Sequence, residues 1–172
     1  MPATTMSRQH RRFLVVEEVV GSTIINFLLN AGIAWYLFRR VPSVPLWGVS
    51  SIGVDTLVTA FVLPVLTALI ATFIVRQQVR RGRLLPIPAD AIGSSRWLDR
   101  PGWQRGVGLG VASVVLVATP LVIGLTLLGP SQLSSGHFIW FKGSFAAGLG
   151  ALVTPLLGWW ALADASRVAH GK

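Results

Sequence analysis

The chain has no cysteine, which excludes disulfides, thiolate metal sites and cysteine nucleophiles together. Charge is also scarce. Only 12% of residues are Asp, Glu, Lys or Arg, about half the share in soluble domains. Six residues are acidic and three are histidine, so carboxylate pairs and histidine clusters have little to be built from. His10, His137 and His170 fall near chain ends or in a connection. They leave no axial pair for a buried haem and no His/Asp/Glu constellation for a metal. Ser113 and Ser144 lack a histidine at matching depth to activate them. The expectation is a protein that is not an enzyme, with no catalytic residue, cofactor or metal site.

Apolar residues are abundant instead. They make up 52% of the chain, and the mean hydropathy is +0.65. Four segments carry most of this character: 13–38, 51–75, 107–128 and 138–163. A bilayer core about 30 Å thick needs roughly 20 helical residues to cross it, and each segment is long enough. The 18 glycines and 10 prolines suit such helices better than soluble ones. The sequence therefore predicts one all-α integral membrane domain over residues 1–172, a bundle of four transmembrane helices running antiparallel, up-down-up-down. Residues 1–12 are polar and basic and lead into an apolar run, as a signal peptide would. Glu17 and Glu18 interrupt that run early and no small-residue cleavage site follows, so the first segment reads as a retained helix.

The net charge of +9 is unevenly spread, and its distribution sets the expected orientation. Arg8, Arg11 and Arg12 precede the first helix; Arg76, Arg80, Arg81, Arg83, Arg96, Arg100 and Arg105 fall between the second and third; Arg167 and Lys172 follow the fourth. The remaining connections hold only Arg39 and Arg40. Positive-inside bias places both termini, and a basic middle loop of about 30 residues, in the cytoplasm. Its Leu84-Leu85-Pro86-Ile87-Pro88 run cannot continue a helix, whereas 95–100 with Trp103 suits the headgroup level. Trp35, Tyr36 and Trp47 suit an outer aromatic belt. The expected partners are the bilayer and anionic headgroups at the cytoplasmic face, with about 1 kcal/mol per basic residue near the surface. Nucleic acid is not expected. The Arg- and Ala-rich, cysteine-free composition points to a bacterial inner membrane.

A hydrophilic side chain inside hydrocarbon needs a reason, since an ionisable one at mid-membrane costs about 2.5–3.5 kcal/mol on insertion scales. Glu18, Ser22, Asn26 and Asn30 are spaced by four and share one face of the first helix. Asp55 and Thr59 share a face of the second, and Lys142, Ala146, Gly150, Thr154 and Gly158 line the fourth. Small residues at that spacing usually mark a packing seam; Gly106 and Gly110 permit close approach in the third helix. Prolines at 64, 120 and 155 are expected to kink three helices, with Thr119 and Thr154 helping to satisfy the freed carbonyls. Asp55 and Lys142 each stand about one turn inside the outer end of a helix, at like depth by helical rise. Opposite charges at one level predict an ion pair, either a lock between helices or an outer gate or proton-sensitive switch; the alternative is that Lys142 snorkels to the outer headgroups.

The run Glu18-Val19-Val20-Gly21-Ser22-Thr23-Ile24-Ile25-Asn26-Phe27 resembles, over about ten residues, the first helix of the small multidrug resistance transporters. That likeness implies a glutamate that binds protons and cationic drugs. Two functions are therefore expected from the sequence. One is a permease-like or proton-coupled transporter of a small solute, with Glu18, Ser22, Asn26, Asn30, Asp55, Thr59 and Lys142 along its path. Four helices enclose little volume, so this reading calls for a homodimer. The other is a non-catalytic accessory or assembly subunit whose intramembrane polar residues lock helices.

Overall fold

The computed structural model describes residues 8–82, 84 and 100–170, with side chains over 19–82, 84 and 100–168. Helix α1 covers Arg8–Phe38, α2 Ile52–Arg80, α3 Gly102–Ser113, α4 Thr119–Leu128 and α5 Ser135–His170; a π-helical turn at Val114–Ala118 joins α3 to α4. Four continuous spans are each long and apolar enough to cross a membrane: Val19–Phe38, Ile52–Arg80, Gly102–Leu128 and Ser135–Val168. Among the described residues the secondary structure is helical apart from two three-residue strands. Residues 95–99 of the expected headgroup-level segment and the Glu17 and Glu18 side chains lie outside the described residues.

Each continuous helical stretch outruns its apolar segment at one end or both, because backbone hydrogen bonding does not stop where hydrocarbon stops. Arg and Gln are good helix formers, so α2 continues through Arg76-Gln77-Gln78-Val79-Arg80. Gly82 then adopts a left-handed conformation at φ 68° and ends the helix. At its other end the Ser51 hydroxyl accepts from the Val54 N–H at 3.3 Å, an N-cap that Asp55 reinforces by sitting in the positive first turn. The π turn has a local cause. Pro120 has no N–H to donate one turn back, and the backbone widens just before it.

The third and fourth spans are consecutive in the chain and joined by a short connection, yet they are not close neighbours. Helix α1 packs along α5, α5 also packs on α2, and α2 packs on α3. The third span touches α5 at only a few positions. Glycines explain its preference for α2. A Cβ on Gly102 would lie 2.6 Å from the Thr72 hydroxyl, one on Gly106 2.8 Å from the Ala68 Cβ, and one on Gly110 2.8 Å from the Phe61 carbonyl oxygen. The two backbones meet only because those side chains are missing.

One further element carries no signal in the sequence. Strand β1, Ser43–Pro45, pairs antiparallel with β2, Gln132–Ser134. The ribbon ties the connection after α1 to the connection before α5. Val44 and Leu46 on it are buried with Ala34, Ile52 and Phe138, and Phe38 meets Phe138 edge to face at 4.9 Å. Trp47 Nε1 donates to Thr126 Oγ1 at 3.2 Å, attaching the same cap to α4.

Candidate functional site

Asp55 and Lys142 come together just beneath this ribbon end, one from the start of α2 and one from the start of α5. Lys142 Nζ donates to Asp55 Oδ1 at 2.5 Å. The lysine is buried at 6% exposure, and the Asp55 side chain retains 21%. Thr56 and Thr59 beside Asp55 are also buried, and Thr56 Oγ1 turns back to the Ile52 carbonyl at 2.7 Å. The buried ammonium therefore has one short, charge-assisted partner. Breaking a buried pair by removing one member costs about 3–5 kcal/mol, because the other charge is stranded.

The stripe on α1 behaves differently. Ser22 Oγ donates to the Val19 carbonyl at 3.1 Å, Asn26 Nδ2 to the Ser22 carbonyl at 2.9 Å and Asn30 Nδ2 to the Asn26 carbonyl at 3.0 Å. Each donor is satisfied within its own helix. Asn26 also rests against the bare backbone of Gly150 on α5, while Gly143 receives Phe27 and Ala31. The small-residue face of α5 is thus a seam for α1. Thr154 does not serve the proline-freed carbonyls as expected, for its Oγ1 is buried without a hydrogen-bond partner.

A second ionic cluster, which sequence reasoning misses, lies at the opposite end. Arg76 Nε and Nη2 donate to Asp164 Oδ2 at 3.1 and 2.7 Å. Arg105 places Nη2 3.4 Å from Asp164 Oδ1 and donates from Nη1 to the Trp160 carbonyl at 3.1 Å. Arg105 is only 1% exposed, and its Nε makes no hydrogen bond. Two guanidiniums from α2 and α3 thus converge on one carboxylate of α5. A signal for this cluster exists in the chain: Arg76, Arg105 and Asp164 all fall at the same ends of their spans. It is masked because arginines at span ends read first as orientation signals, and a lone acid near the end of the fourth apolar run draws no attention beside them.

Comparison with protein families, curated proteins and solved structures returns no match. Any functional assignment therefore rests on this chain's own geometry. Among the described residues, no three His, Asp or Glu side chains gather as a metal site would require. Ser134 and His137 meet at 2.7 Å, but Ser134 also accepts from the His137 N–H at 3.4 Å, which is how an N-cap serves the start of α5. A groove of about 830 Å³ opens between α2 and α3, lined by Leu69, Phe73, Arg76, Arg80, Arg81 and Trp103 among others. Of the residues expected along a transport path, Ser22, Asn26, Asn30, Asp55, Thr59 and Lys142 do not line it.

Proposed function

We propose that this chain is a non-catalytic accessory membrane subunit whose intramembrane polar residues lock its helices into a defined row. In this reading it crosses the bacterial inner membrane four times, up-down-up-down, with both termini and the basic middle loop in the cytoplasm. The ribbon pairing and the Arg76–Asp164–Arg105 cluster support that alternation, since each joins helix ends that must then share a side. The observation that carries the reading is the Lys142–Asp55 pair: a buried ammonium held at 2.5 Å by one carboxylate fastens α5 to α2. The amide donors of Asn26 and Asn30 are satisfied inside α1 and are not offered to a solute. Exposed Ile24, Ile25, Leu28, Leu29 and Ile33 leave the rest of α1 to lipid or to a partner's helix.

Reconstitution tests this against transport. The protein is placed in liposomes holding a pH-sensitive dye, and an imposed pH gradient is followed in wild type, Asp55→Asn and the charge swap Asp55→Lys/Lys142→Asp. A lock predicts that the gradient decays as in empty liposomes, that Asp55→Asn destabilises the fold, and that the swap restores it. A gradient that wild type dissipates, and that folded Asp55→Asn does not, overturns the proposal.

A further inference from the structure

The groove between α2 and α3 combines two surfaces that rarely occur together by accident. Leu69 and Phe73 supply an apolar wall, half to two-thirds exposed. Within about two turns beyond Phe73 stand Arg76 and Arg80, followed by Arg81 at the helix C-cap. Trp103, half exposed, faces them from the first turn of α3. Arg76 is committed to Asp164, but that carboxylate also serves Arg105, so the neighbourhood holds more positive than negative charge. Arg80 and Arg81 form no ion pair with any described residue.

We propose that this groove is a binding site for an anionic phospholipid of the inner leaflet. Its phosphate would sit against Arg80 and Arg81, and the upper part of an acyl chain would lie along Phe73 and Leu69, with Trp103 at the glycerol level. Guanidinium forks match phosphate oxygens, and basic pockets between transmembrane helices at the cytoplasmic side suit such headgroups. Charge complementarity selects an anion. The apolar wall, on the lipid-facing side of a span, selects one that carries a hydrocarbon chain over a free phosphate. A volume of about 830 Å³ falls in the range of small-molecule sites and is ample for a headgroup. The assignment to the inner leaflet rests on the orientation proposed above; the site itself is independent of whether Asp55 and Lys142 act as a lock.

Quenching of Trp103 by brominated acyl chains tests it, with a Trp103→Phe variant subtracted to isolate that residue's signal. The intact chain in mild detergent is titrated with brominated phosphatidylglycerol or brominated phosphatidylcholine. Wild type should be quenched at lower concentration by phosphatidylglycerol. Arg80→Gln/Arg81→Gln should raise the phosphatidylglycerol midpoint roughly 20- to 30-fold, the product of about fivefold per arginine near the surface. Arg39→Gln/Arg40→Gln, which removes the same charge at the opposite end, should leave the midpoint unchanged. Equal quenching by the two lipids overturns the proposal, as does an equal effect of the two double variants. Displacement of the lipid by millimolar glycerol 3-phosphate or inorganic phosphate would make the ligand a soluble phosphate and overturn the lipid assignment.

Discussion

Replacing Asp164 by alanine should be the most damaging single change outside the Asp55–Lys142 pair. Asp164 accepts two hydrogen bonds from Arg76 and lies 3.4 Å from an Arg105 nitrogen. Its loss would affect the two arginines unequally. The Arg76 side chain is 50% exposed, so headgroups and water can take it over, and its share is about 0–1 kcal/mol. The Arg105 side chain is 2% exposed and would keep only the Trp160 carbonyl. Stranding a buried charge costs about 3–5 kcal/mol. Asp164 is itself 17% exposed, so the lower part of that range applies, and Asp164→Ala should lose about 3–4 kcal/mol. Adding Arg105→Met removes the stranded charge while filling its space, so the double variant should recover most of the loss. Unfolding in mixed micelles by rising dodecyl sulfate, followed by circular dichroism, measures both. A loss below about 1 kcal/mol for Asp164→Ala, or a double variant no better than the single, would refute the assignment of Arg105 as a buried charge dependent on this carboxylate.

Gly106→Ala should cost about 1–3 kcal/mol in the same assay, since its Cβ meets Ala68 and the Val65 backbone, whereas Gly124→Ala, with open space around it, should cost nothing measurable. Asn30→Ala should cost about 0.6 kcal/mol or less, because its amide bonds only to its own helix. Since the chain has no cysteine, single Val49→Cys and Arg80→Cys variants report orientation. An impermeant maleimide added to spheroplasts should label the first and spare the second.

The helices are legible in the sequence because a bilayer imposes their length: an apolar run of more than about 20 residues has few other uses. Their ends are not, since Arg76 to Arg80 and Ser135 to His137 are neutral between helix and connection until capping decides. The ribbon is invisible, as three residues containing proline carry no strand periodicity. Neighbour choice is equally hidden. Gly102, Gly106 and Gly110 look like Gly143 and Gly150 in sequence, yet the first set receives α2 and the second receives α1. Depth along a helix, in contrast, needs only the rise per residue. By that rise Asp55 and Lys142 stand at one level, and the structure holds them 2.5 Å apart. At the other end, the same rise sets Asp164 level with Arg76 and Arg105.

The measurement that bears most directly on the proposed lock is a double-mutant cycle on Asp55 and Lys142. Stabilities of wild type, Asp55→Asn, Lys142→Met and the double variant give the coupling energy between the two side chains. A buried charge-assisted contact predicts a coupling of at least about 1.5 kcal/mol. A coupling near zero, with each variant as stable as wild type, would contradict it.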